Sequence, residues 1–242
     1  MRETASAVTR RAATPSLARW VLIVGTGEIV GFTFPAVAGV LAGSSPVRTM
    51  LIVGAGFIEG VILGGSQYLA MRRDVAGLRP GAWIVLTGGG AIVAYVCGML
   101  PSSLSGGSAW PAPLQFAGLA VLAITILFSI GAAQWIELRH LLRGAAWWIL
   151  GSAVAWVVGL GAFFAIAPPL WHEEQPVGTA IAIGLGAGVA MAVAMALVTG
   201  ITFRWLVEHD RATSTRRPLR ASIVGSPGAG GVQESGHEGG AP

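Results

Sequence analysis

The chain has 242 residues, 54% of them hydrophobic and only 11% charged, with a mean hydropathy of +0.71, which leaves no stretch for a separate soluble domain of ordinary size. All 15 cationic side chains are arginine, the formal net charge is +4, and their clustering at the ends of apolar runs is explained by anionic lipid headgroups without a nucleic-acid partner. The single cysteine, Cys97, excludes an internal disulfide.

Taken in chain order, six apolar runs predict an all-α, polytopic membrane bundle: residues 18–42, 47–71, 82–100, 115–137, 146–167 and 177–206. Each is long enough to cross a hydrocarbon core of ~30 Å at about 1.5 Å per residue. Arginines precede the first run (Arg2, Arg10, Arg11, Arg19) and follow the second (Arg72, Arg73, Arg79), the fourth (Arg139, Arg143) and the sixth (Arg204, Arg211, Arg216, Arg217, Arg220); only Arg48 lies at the opposite end. By the positive-inside rule this places both termini in the cytoplasm of a bacterial inner (plasma) membrane, with Arg72, Arg73, Arg139 and Arg143 reaching anionic headgroups at the inner face. Arg10-Arg11, the run from Trp20 and Ala36-Val37-Ala38 imitate a cleavable secretory signal. Glu28 interrupts that run, and an uncleaved first span is expected. The division expected is a cytoplasmic N-terminal segment over 1–16, a transmembrane domain over 17–210 and a disordered tail over 211–242, where Ser, Gly, Pro and Arg replace apolar residues. Gly43–Pro46, Pro101–Pro113 and Pro168–Pro176 read as outer turns.

The runs repeat. Gly64, Gln67, Tyr68 and Arg72 share the spacing G-x-x-Q-[YW]-x-x-x-R with Gly131, Gln134, Trp135 and Arg139, and Trp83-Ile84 and Trp148-Ile149 open the spans that follow. Trp20 opens the first span in the same manner, so the unit is a helix pair and the six helices read as three tandem αα-hairpins about a pseudo-threefold axis. In the third copy Phe203 stands where glutamine is expected. Equivalent hairpins predict Trp20, Trp83 and Trp148 at one depth, and comparable interhelical contacts for Gln67 and Gln134.

Glycines at four-residue spacing (Gly27, Gly31; Gly56, Gly60, Gly64; Gly184, Gly188) predict close helix packing. Gln67 and Gln134 share a helix face with Gly64 and Gly131 and are expected as interhelical polar contacts near the inner boundary. Trp20, Trp83, Trp135, Trp147, Trp148 and Trp205 at that boundary, with Trp110 and Trp171 at the outer one, read as an aromatic belt; Trp156 falls mid-span and reads as core. Glu28 and Glu59 fall near the bilayer midplane on adjacent antiparallel spans, where an acid costs about 2.5–3.5 kcal/mol to insert. Without a basic neighbour they cannot both carry charge, so they read either as carboxyls bonded to each other or to backbone, or as a candidate proton or cation site. His140, His172, His209 and His237 are scattered, and no metal-ligand spacing or phosphate-binding glycine loop occurs, so neither a catalytic site, a metal nor a cofactor is expected.

The repeated G-x-x-Q-[YW]-x-x-x-R followed by a Trp-led helix, carried by residues 56–84 and 124–149, resembles a group of uncharacterised bacterial multi-pass membrane proteins with Gly-rich helix pairs. That resemblance implies a membrane location and no activity. Three hairpins also suggest mitochondrial-type carriers, but Pro35 is followed by Ala36 and Val37 where those carriers require P-x-[DE]-x-x-[KR]. The expected function is therefore that of a non-enzymatic structural or interaction protein, its protein partner or homo-oligomer unspecified. The alternative is a small proton- or cation-coupled transporter using Glu28 and Glu59.

Overall fold

In lipid every backbone N–H and C=O must be satisfied within the segment, and for runs of this length the helix does so. The computed structural model describes residues 14–43, 45–104 and 111–224. It is all-helical: α1 (Leu17–Ala42), α2 (Arg48–Met71), α3 (Pro80–Leu104), α4 (Ala112–Leu138), α5 (Ala146–Leu170) and α6 (Val177–Val224), each long and apolar enough to cross a membrane. α1 begins where the Ser16 hydroxyl accepts a hydrogen bond from the Arg19 backbone N–H at 3.3 Å, and α4 begins with proline in its first turn, where a missing N–H costs nothing.

Leu22, Val85, Leu119, Val154 and Leu185 point outward, and glycines stand at the closest interhelical approaches. Gly60 lies against Gly88 and Ala91 of α3, and Gly90 lies against Ile130 of α4. A Cβ on Gly64 would stand 2.9 Å from Thr87 and 3.1 Å from the Ile84 backbone, and one on Gly131 would stand 2.9 Å from Ser152 and 3.1 Å from the Ile149 backbone. The small-residue faces of α1 and α2 thus pack as expected. The α6 stripe does not: among the described residues nothing lies within 4 Å of a Cβ on Gly188, and at Gly184 only Trp171 does, at 3.8 Å. Four-residue glycine spacing permits a close approach, but a neighbour must be there to make it.

Two turns share one geometry. After α2 the N–H groups of Asp74 and Val75 return to the Met71 carbonyl, and after α4 those of Leu141 and Leu142 return to Leu138. Both turns then pass through a glycine with positive φ, Gly77 at 83° and Gly144 at 72°, a region that a Cβ disfavours. Successive helices pack from α1 through α5. Gly151 faces Thr202 and Gly159 faces Met195, which brings α6 onto α5, and Gly200 receives Leu17 and Trp20, which brings α6 onto α1. The six helices form a closed ring.

Where the α2–α3 and α4–α5 turns lie, the ring is filled by tryptophan. Trp20 and Trp148 meet with ring centroids 6.2 Å apart, Trp83 and Trp148 at 6.1 Å, and Phe203 stacks on Trp20 at 4.7 Å. These three tryptophans do share one layer, but Trp83 and Trp148 are 0% and 1% exposed, so they belong to the core and not to an aromatic belt. Trp147, Trp205 and Trp171 are exposed as a belt requires, while Trp110 lies outside the described residues. Two expected boundaries shift: Pro101 lies inside α3, and Pro168, with Pro169, lies inside the end of α5. Contact density divides the chain at Asp210. The helix α6 continues through residues 211–224; residues 225–242 lie outside the described residues.

Candidate functional site

Glu28 and Glu59 stand near the middle of α1 and α2, and glycine brings the two helices together there. A Cβ on Gly31 would lie 3.2 Å from both the Cγ and the backbone oxygen of Glu59, and Gly27 is covered by the Ser66 side chain. The two carboxyls line one cavity of ≈20 Å³, together with Phe32, Leu63, Trp156 and Met195. That is space for about one water-sized group.

Among the described residues no hydrogen bond joins the two acids, contrary to the expectation of a mutually bonded pair. Glu59 Oε2 instead accepts from the Tyr95 hydroxyl of α3 at 2.6 Å. Glu28 is 8% exposed, and its Oε2 has no hydrogen-bond partner among the described residues. A buried oxygen left unbonded costs about 1–3 kcal/mol, so its persistence calls for an explanation beyond packing. Trp156, expected to fill the core, is half-buried and lines this cavity from α5.

Beyond Tyr95 and Trp156 lies a wider, partly open space. A cavity of ≈340 Å³ takes at least one wall residue from every helix: Phe32, Ile52, Tyr95, Ile126, Trp156 and Met191. Phe32, Trp156 and Met191 line both spaces, and Tyr95 lines the larger one while its hydroxyl binds Glu59. Phe163 and Phe164, late in α5, also line it, so the chamber extends from the carboxyl level away from the tryptophan layer. No family model, curated protein or solved structure matches this chain.

On the other side of the carboxyls the bundle is tied by side-chain amides. Gln134 Nε2 donates to Gln67 Oε1 at 2.6 Å and to Thr87 Oγ1 at 2.9 Å, and Gln134 Oε1 accepts from Trp148 Nε1 at 2.7 Å. Gln67 and Gln134 are thus interhelical contacts, but with each other and in unequal roles. With Gln67 Oε1 turned to Gln134, Trp83 Nε1 has no hydrogen-bond partner among the described residues. Phe203 offers no acceptor to Trp20, whose Nε1 donates to Thr199 one turn earlier at 3.2 Å.

The turn end carries an ion pair. Arg79 donates to Glu137 Oε1 from its backbone N–H at 3.2 Å and from Nε at 3.0 Å, and to Oε2 from Nη2 at 2.6 Å. The carboxylate raises the Arg79 guanidinium above its ordinary, already high value. Arg79 therefore clamps α3 to α4, whereas its position alone had grouped it with the loop arginines. Arg72, Arg73, Arg139 and Arg143 are exposed, with Arg139 5.1 Å from the centre of the Trp135 ring. Tyr95, Thr87, Thr199 and Glu137 are the polar partners that sequence reasoning missed. Glu137 carried a signal, as an acid three residues beyond Gln134 on the same face; the other three are isolated hydroxyls in apolar helices and carried none.

Proposed function

We propose that the chain is a multi-pass protein of a bacterial inner membrane with both termini cytoplasmic, built from three tandem hairpins, and that it works as a small proton-coupled transporter whose coupling groups are Glu28 and Glu59. One observation carries this reading: carboxyls from two helices share a central cavity, one of them with an unbonded oxygen, beside a chamber walled by all six helices. An intramembrane acid that faces a cavity can exchange its proton for a cargo, which a close-packed acid cannot. The matching contacts of Gly64 and Gly131 and the twin turns at Gly77 and Gly144 support the tandem-hairpin origin.

The second reading, a structural or interaction protein, draws support from the tryptophan layer and the glycine contacts between α1, α2 and α3. The two separate in proteoliposomes carrying a pH-sensitive dye. Transport predicts proton movement under an imposed pH gradient when inorganic or organic cations are supplied on the opposite side, lost in Glu28→Gln and in Glu59→Gln although both fold and insert. Flux retained in the double variant, or wild-type vesicles no faster than protein-free ones with every cation, defeats it. The scaffold reading predicts that Gln is tolerated at both positions while Glu59→Leu, which loses the Tyr95 bond, destabilises.

A further inference from the structure

The walls of the chamber specify its cargo. We infer that the chamber binds a monovalent lipophilic organic cation of aromatic type, such as a quaternary phosphonium or ammonium, with its charge toward Glu28 and Glu59 and its rings among Phe32, Tyr95, Trp156, Phe163 and Phe164. This rests on the transport reading only for the movement of that cation; the binding stands on its own.

Chemistry excludes the other classes. The ≈340 Å³ volume lies in the roughly 300–1,000 Å³ range of small-molecule sites. A bare inorganic cation needs a shell of oxygens, about six to eight for calcium, and among the described residues the two spaces offer only the carboxyls and the Tyr95 hydroxyl as side-chain oxygens. An anion finds no Arg, Lys or His among the lining residues. A neutral hydrophobe fits the walls but leaves the Glu28 oxygen unanswered. An organic cation uses both surfaces: aromatic faces attract a desolvated positive charge, and the carboxyl level supplies the opposite charge.

Charge balance sets the coupling. In the empty site, with no basic side chain among its lining residues, both carboxyls hold their protons and the site is neutral; when the cation arrives, one carboxyl O–H breaks, its proton leaves to bulk water, and the resulting carboxylate neutralises the cation, so the site is neutral again. Binding therefore exchanges one positive charge for another, and no bond to the cargo forms.

The test uses the full chain in lipid nanodiscs, titrated calorimetrically with tetraphenylphosphonium in two buffers of different ionisation enthalpy. Saturable binding with about one proton released per cation is expected, weakening about tenfold per pH unit on acidification. After subtraction of matched protein-free nanodiscs, tetraphenylborate, its anionic counterpart, and triphenylphosphine oxide, a neutral one, are expected to show protein-dependent binding at least tenfold weaker. Glu28→Gln and Glu59→Gln should each lose tenfold or more in affinity; if either fails to fold, the wild-type proton release and the charge series decide alone. Equal binding of the borate or the oxide, binding without proton release, or no binding overturns the proposal. Binding as described without any flux overturns transport and leaves the site standing; flux with inorganic cations alone and no phosphonium binding does the reverse.

Discussion

The Gln134 side-chain oxygen accepts the Trp148 indole N–H at 2.7 Å while its nitrogen donates to Gln67 and Thr87. One amide thus ties α2, α3, α4 and α5 in a layer made mostly of apolar side chains. In such surroundings a stranded donor or acceptor has no water to turn to, and the loss of Gln134 is felt by all of its partners.

Gln134→Leu is therefore expected to destabilise the bundle by about 1.5–3 kcal/mol, and Gln67→Leu, which removes one of these bonds, by about half as much. Unfolding in mixed micelles followed by tryptophan fluorescence would measure both. A larger loss for Gln67→Leu would contradict the order.

The clamp between Arg79 and Glu137 predicts a ranking among surface arginines. Arg79→Ala should lower the melting temperature clearly, because Glu137 is 3% exposed and would keep an uncompensated charge. Exposed Arg72→Ala and Arg73→Ala should change it little. A double-mutant cycle with Glu137→Gln should give less than the sum of the single losses, and additive losses would mean that the pair contributes nothing.

Glycine contacts predict position-dependent tolerance of one methyl group. At Gly60 a Cβ would stand 2.8 Å from the Gly88 Cα and 3.0 Å from the Thr87 carbonyl, backbone atoms that cannot step aside. Gly60→Ala should cost about 1–3 kcal/mol. Gly188→Ala meets nothing within 4 Å and should be neutral or slightly stabilising. Thermal unfolding of the two variants side by side checks this; equal shifts would refute it.

Topology is open to a direct check. Reporters active only outside the cytoplasm should work when fused at Ser45 and Glu173 and stay silent at Asp74 and Gly144, following the arginine distribution. Activity at Asp74 with silence at Ser45 would invert the protein.

The spans were legible because about twenty apolar residues in a row have few other structural outcomes. Glu28 and Glu59 were legible for the same reason, as the acids near the middle of such runs, and Gln67 and Gln134 through the glycines one turn away. The inward turn of Trp20, Trp83 and Trp148 was not. A helix apolar on all sides has no polar face to set its rotation, and an interfacial tryptophan facing lipid has the same sequence signature as one facing the axis. Tyr95 was hidden likewise, since a phenol in an apolar run declares neither its cavity nor its carboxyl. Arg79 and Glu137, 58 residues apart, required the turn geometry that places the start of α3 beside the end of α4.

Trp20 and Thr199 bond across 179 residues of chain. α1 is thus completed by α6, and without α6 the Trp20 indole and the Leu17 side chain flank an open seam. A bundle of α1 to α5 alone has an unanswered indole N–H and an unfilled groove in the lipid. Chains cut short before Thr199 cannot close that groove, whatever the state of the remaining hairpins. Truncation ahead of Thr199 is therefore expected to shorten the lifetime of the chain in the membrane more than an equal truncation beyond Asp210.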